Sequence, residues 1–137
     1  MPRTQVRFCT NLFAPKDTPG ESAKELAKWL CNKLPNSFGA DYFEEDWGCM
    51  IELTNHDLQG VDISCGHVES NQWSISCDAR YSFLDRLFKK TYPKDQLEKI
   101  VKVIDSSVEE ESDFYDVEWF ENDNRLREFN YGKRAFE

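Results

Sequence analysis

The stretch Val61-Asp62-Ile63-Ser64-Cys65-Gly66-His67-Val68-Glu69-Ser70-Asn71-Gln72-Trp73-Ser74-Ile75-Ser76-Cys77-Asp78-Ala79 decides the fold. Val61, Ile63, Cys65 and His67 alternate with polar or small residues. Trp73, Ile75, Cys77 and Ala79 do the same against Ser74, Ser76 and Asp78. A period of two puts each set on one face of a strand. Glu69-Ser70-Asn71 between them has turn chemistry. Upstream, Tyr42–Thr54 reads as one further strand, with Trp47, Cys49, Ile51 and Leu53 alternating against Gly48, Met50 and Glu52. Asn55-His56-Asp57 opens a turn that closes near Gly60. Three alternating runs joined by short polar turns predict an antiparallel meander with one wet face.

Outward from the meander the period changes. Thr18-Pro19-Gly20-Glu21 has the form of a capping box with Pro at the first helical position. Ala23, Leu26, Ala27, Leu30 and Leu34 then form one helical stripe, which Pro35 ends. Leu97, Ile100, Val101, Ile104 and Val108 repeat that spacing and predict a second amphipathic helix. Phe83-Leu84 and Leu87-Phe88 suggest a short helical piece before it. Gln5–Leu12 reads as a first strand, with Val6, Phe8 and Leu12 on one face. Phe114–Phe120 reads as a last strand, with Tyr115, Val117 and Trp119 together. The expected fold is α+β in the order β-α-β-β-β-α-β, a mostly antiparallel sheet with both helices on one face.

The chain has 137 residues, which fits one domain over 1–137, with 122–137 as a polar tail that docks loosely or frays. Its mean hydropathy is -0.71, but the periodic apolar pattern argues against disorder. The five cysteines are odd in number and form no CxxC pair, unlike a secreted disulfide scaffold. The N-terminal residues resemble no signal peptide, and no run approaches the ~18 apolar residues of a membrane span. A cytoplasmic location is therefore expected, with the chain a monomer or weak dimer. The net charge of -9 argues against binding nucleic acid or anionic membrane and permits a basic partner.

That charge is concentrated. From Val103 to Asn124 there is no Lys or Arg, but there are Asp105, Glu109, Glu110, Glu111, Asp113, Asp116, Glu118, Glu121 and Asp123. The acids elsewhere balance the 17 Lys and Arg. Phe114, Tyr115, Trp119 and Phe120 are interleaved with these carboxylates. Two readings fit. One is a surface that binds a basic protein, with Trp119 and Phe120 as anchors. The other is a solvated helix end followed by an edge strand whose rings go inward. Glu44-Glu45-Asp46 either extends the same surface or guards a strand entry. The partner-binding set is thus Glu109, Glu110, Glu111, Asp113, Asp116, Glu118, Trp119, Phe120, Glu121, Glu44, Glu45 and Asp46.

Other chemistry has weaker support. Cys49, Cys65, Cys77 and His67 could surround a zinc ion, or the cysteines could be small core hydrophobes. A Cys–His pair lacks a recognisable orienting group. His56 sits in a turn beside Asn55 and Asp57. No GxGxxG, P-loop, HExxH or G-x-S-x-G occurs. No cofactor, metal or catalytic residue is assigned, and a non-enzymatic role is expected. The alternative is a small enzyme or ligand-binding domain with a pocket between sheet and helices near Cys65, His67 and Trp73. Lys89-Lys90, Arg125, Arg127, Lys133 and Arg134 read as local charge balance.

With its size, acidity and α+β plan, and the phrase Tyr42-Phe43-Glu44-Glu45-Asp46-Trp47-Gly48, the chain resembles small bacterial immunity proteins. Those neutralise toxins delivered by contact-dependent or type VI secretion routes. The resemblance implies stoichiometric inhibition of a cognate toxin, often a basic nuclease. It assigns no residue.

Overall fold

A computed structural model describes residues 2–123 and 125–137; the last residue of the acidic stretch, Asn124, lies outside them. Seven antiparallel strands form one sheet: β1 (Gln5–Cys9), β2 (Ala40–Glu45), β3 (Gly48–Leu53), β4 (Val61–Glu69), β5 (Gln72–Ala79), β6 (Tyr115–Asn122) and β7 (Glu128–Gly132). Their spatial order is β2-β3-β4-β5-β1-β6-β7. Three α-helices, α1 (Pro19–Lys33), α2 (Phe83–Leu87) and α3 (Lys94–Glu110), complete the α+β fold. Among the described residues, no helix is long and apolar enough to cross a membrane.

The periodicities explain the core. Cys49 and Ile51 of β3, Ile63 and Cys65 of β4, and Trp73, Ile75 and Cys77 of β5 are all buried, as strand alternation requires. They join Leu26, Ala27 and Leu30 of α1, and Ile100, Val101 and Ile104 of α3, in one cluster. α1 lies over β2, β3 and β4, while α3 lies over β5. Thr18 caps α1, its hydroxyl accepting from the Glu21 N–H at 3.2 Å. Gly20 sits so close to the β2–β3 hairpin that a Cβ would stand 2.8 Å from the Glu45 carbonyl oxygen. At Gly48 a Cβ would meet the Cys65 carbonyl oxygen at 2.4 Å, so a side chain there would force β3 and β4 apart.

Four expectations need correction. Tyr115 does not share a face with Val117 and Trp119: the β1–β6 register shifts at Asp116, so Tyr115 pairs with Cys9 and is exposed while Trp119 is buried opposite Val6. Tyr42–Thr54 is not one strand. It belongs to a hairpin, β2–β3, in which Glu45 pairs with Gly48 across Asp46-Trp47. Trp47 shares the phase of Cys49 and Ile51, but it sits in the turn and is half exposed. Leu12 does not share a face with Val6 and Phe8: β1 ends at Cys9, and Leu12 stands exposed in the bend beyond it. The polar tail supplies a strand. β7 pairs with β6, Ala135 is buried, and the Arg3 N–H donates to the Ala135 carbonyl at 3.0 Å. The order is therefore β-α-β-β-β-β-α-α-β-β, in place of the expected five-stranded one.

β1 is the keystone. It pairs with β5 on one side and β6 on the other, joining the meander to the C-terminal strands. Val6 and Phe8 are fully buried beneath the helices, and Phe8 stacks on Phe114 with ring centroids 4.1 Å apart. Trp29 and Phe13 pack on the same Phe114 ring. Phe8→Ala should therefore cost about 3–5 kcal/mol in a urea unfolding curve. The half-exposed Phe43 on edge strand β2 should cost well under about 1 kcal/mol when truncated. Equal losses at the two positions would refute the central place of β1.

Candidate acidic interface

The antiparallel registers sort the connections into two ends of the sheet. The β2–β3 turn, the β4–β5 turn, the chain leaving β1 and the chain entering β6 share one end. That end therefore gathers Glu44, Glu45 and Asp46, Glu69, and the Asp113–Asp116 region. The two acidic runs, far apart in sequence, lie along one rim.

The carboxylates divide into engaged and free groups. Asp105 is buried and receives the Arg134 Nε at 3.0 Å; Glu109 lies 4.0 Å from the same guanidinium. Glu111 accepts from the Trp29 indole at 2.9 Å. Glu121 accepts from the Asn130 amide at 3.2 Å, and it lies at the other end of the sheet, outside the rim. Asp123 caps the turn at Arg125 and Arg127. Glu44 stands 3.9 Å from Lys24. Glu45, Asp46, Glu69, Glu110, Asp113, Asp116 and Glu118 have no cation within 4.0 Å among the described residues. Glu110 ends α3, where the helix dipole already disfavours negative charge.

The rings are sorted differently from the expectation. Trp119 is 1% exposed, facing the helices opposite Val6, and Phe120 is 4% exposed on the other face. The Arg7 guanidinium covers Phe120 at 4.6 Å, and Arg7 bonds Glu128 of β7. Neither ring is free to anchor a partner in this fold. Strand alternation separates Trp119 from Phe120, and a neighbouring layer covers each. The apolar groups open at the rim are Tyr115, Leu12 and Trp47, which are 45%, 50% and 50% exposed.

Tyr115 and Leu12 border a shallow cleft of about 350 Å³, with Asn11, Ser112 and Asp113 completing its lining. Its shape is fixed from below. Phe114 is clamped among Phe8, Phe13 and Trp29, and the Asn71 amide donates to the Tyr115 hydroxyl and to Asn11 Oδ1. Asp116 has φ 52 where the β1–β6 register shifts, which sets its side chain beside Cys9. A turn signal at Ser112-Asp113, read together with the β1 exit at Asn11-Leu12, could have located the cleft. Only the pairing of β1 with β6 brings the two together.

The other candidate chemistry is not assembled. Cys49 and Cys65 are cross-strand partners in the core. Burial pushes the Cys65 and Cys77 thiols far up, keeping them neutral. His67 packs tilted against Trp73 with ring centroids 4.6 Å apart, and its Nε2 lies 2.7 Å from the Ser70 carbonyl. Among the described residues, no three His, Cys, Asp or Glu side chains converge as a metal would need. Another opening, of about 630 Å³, lies at the opposite end between Arg80, Tyr81, Tyr92 and the start of α3. Its cations Arg80, Lys90 and Lys94 are engaged by Asp62, Asp85 and Glu98.

The face of the sheet opposite Ile51 and Ile63 carries a second acidic row: Asp41 pairs with Glu52, Asp62 with Asp78, and Glu52 lies one step beyond the Ile51–Ile63 pair. Loss of water raises the Asp78 carboxyl above its usual range and repulsion from Asp62 adds to this, while the Gln5 amide at 3.2 Å opposes both. A raised folded pKa means that the folded chain holds this proton longer than the unfolded chain does. Stability from this group therefore falls as pH rises from the ordinary carboxylate range through the folded value. Asp78→Asn keeps the acceptor for Gln5 and removes the charge. It should raise the denaturation midpoint at pH 7 and do little at about pH 3, below both folded and unfolded values. An equal gain at both pH values would remove the electrostatic cause.

No protein-family model, curated protein or solved structure compared with the chain gives a match.

Proposed function

We propose that the chain is a non-enzymatic binding protein whose acidic rim receives a basic partner, acting in the cytoplasm as immunity proteins do against basic toxins. The observation that carries this reading is the gathering of free carboxylates at the end of the sheet that holds the cleft of Leu12, Tyr115 and Asp113. Asp113 lines the cleft with Leu12 and Tyr115, and Glu110 and Asp116, also without cations within 4.0 Å among the described residues, lie at the same end of the sheet. Carboxylates meant only for solubility gain nothing from gathering at a helix C-terminus and a clamped loop, where mutual repulsion and the α3 dipole both act against them. A cationic cleft with an apolar centre relieves both costs. Of the residues expected at the interface, Glu110, Asp113 and Asp116 form its centre, with Glu44, Glu45 and Asp46 extending it along the rim; Glu118 stands back from it, paired with Arg7 in the β1–β6 ladder. Glu109 and Glu111 are tied to Arg134 and Trp29 and serve as supports.

Such a surface acts first on encounter. Association should be fast at low salt and slow steeply as the Debye length shortens, with dissociation changing less. Reversing Glu110 and Asp113 to Lys should weaken the partner captured at low salt by about 100-fold or more, because like charges then face each other. The measurement is surface-immobilised kinetics on that partner, with circular dichroism to show that the variant is folded. Unchanged affinity in a folded double variant would show that this rim is not the docking surface.

A further inference from the structure

α2 buries none of its own residues. It is nevertheless a well-made helical turn. Ser82 Oγ accepts from the Asp85 N–H at 3.2 Å, and Asp85 Oδ2 accepts from the Ser82 N–H at 2.8 Å. Those bonds hold the Asp85 carboxyl below its usual range. Phe83, Leu84, Leu87 and Phe88 are 76%, 58%, 61% and 70% exposed. At 100° per residue these four fall within an arc of about 140°. α2 is thus an amphipathic turn with its apolar side facing solvent, which in a folded chain marks a contact surface.

The charges around the arc are basic. Arg80, Arg86, Lys89 and Lys90 face a single acid, Asp85, within residues 80–90 of a chain whose net charge is -9. Asp62 holds Arg80 at 3.0 Å, and Asp85 lies 3.7 Å from Lys90. Arg86 and Lys89 have no acid within 4.0 Å among the described residues. α2 follows β5 and so lies at the end of the sheet opposite the acidic rim. The eight residues of β5 span roughly 26 Å, about three Debye lengths at physiological salt, so the two ends act as separate charges.

We propose that this face is covered by the acidic rim of a second copy of the chain. The inference rests on the reading that the rim receives basic, apolar segments; it adds that α2 is one. The complementarity is present on both sides. Phe83, Leu84, Leu87 and Phe88 with Arg86 and Lys89 match Leu12 and Tyr115 with Asp113, Glu110 and Asp116 lying at the same end of the sheet. Two α2 turns facing each other would bring Arg86 and Lys89 against their own copies. Two chains lying antiparallel place each α2 at the other's rim. The twofold axis closes the pair instead of extending a filament.

Sedimentation velocity on the full chain tests this. A dimer is expected at low salt, with its Kd rising at least tenfold or so as salt increases several-fold. Arg86→Glu with Lys89→Glu should give monomer, and so should Glu110→Lys with Asp113→Lys. All four changes in one chain should restore the dimer, because the charges are then exchanged. Leu84→Ser with Phe88→Ser, at exposed positions, should also give folded monomer. Monomer at every concentration overturns the proposal. So does a dimer that survives either charge reversal, which would place α2 elsewhere on the copy. Monomer that co-sediments, through α2, with phosphatidylcholine vesicles containing about one-third phosphatidylserine identifies a membrane instead. Absence of a dimer with rim-dependent capture of a basic partner sinks this inference alone. Partner capture that ignores rim reversal sinks the reading of the rim.

Discussion

The pairing of β1 on both of its edges is the constraint from which the remaining structure follows. Five residues near the N-terminus bond to β5 on one side and to β6 on the other. β1 therefore joins segments some seventy and over a hundred residues away in sequence. Those contacts require closing long loops, whose entropy must be offset before the sheet gains anything. Val6 and Phe8 supply the offset by being fully buried under the helices, and Phe8 adds the stack on Phe114. That ring cluster positions the loop between α3 and β6, which carries Asp113 and Glu111. The placement of Asp113 and Asp116 is thus a consequence of how β1 is held.

The engaged and free carboxylates explain why an acidic chain can remain compact. Asp105, Glu109, Glu111, Glu121 and Asp123 each find a guanidinium, an indole, an amide or backbone N–H groups, so about half of the acidic stretch is structural. Arg134, which the sequence presents as one of several tail cations, crosses back over the sheet to hold two of them. The unengaged Asp113 and Asp116 stand at one end of the sheet with Tyr115 and Leu12, and α2 with Arg86 and Lys89 stands at the other. A molecule with unlike ends interacts through orientation as well as through net charge.

Much of this was legible. Both amphipathic stripes became α1 and α3 with the expected residues inward, because burying a 3.6-period face is the dominant gain for those segments. The alternation of β4 and β5 held for the same reason at period two. The β2–β3 hairpin was hidden because Trp47 falls in phase with Cys49 and Ile51, so the turn leaves no break in the pattern. β7 was hidden because its residues are mostly polar and none is fully buried. It is held by hydrogen bonds to β6, the Arg7–Glu128 pair and the Phe120–Tyr131 contact, none of which has a periodic signature.

The sequence by itself determined the α+β class, the meander, the two long helices and the concentration of charge, since each depends on neighbours along the chain. It could not decide which rings of the acidic stretch face outward. Trp119 and Phe120 occupy opposite faces of β6, and both faces happen to be covered, one by the core and one by Arg7. Nor could it decide that α2 would turn its apolar arc to solvent, or that Glu44–Asp46 and Asp113–Asp116 would share a rim. Those outcomes depend on strand order and register, which are set by long-range pairing, and local composition carries no record of them.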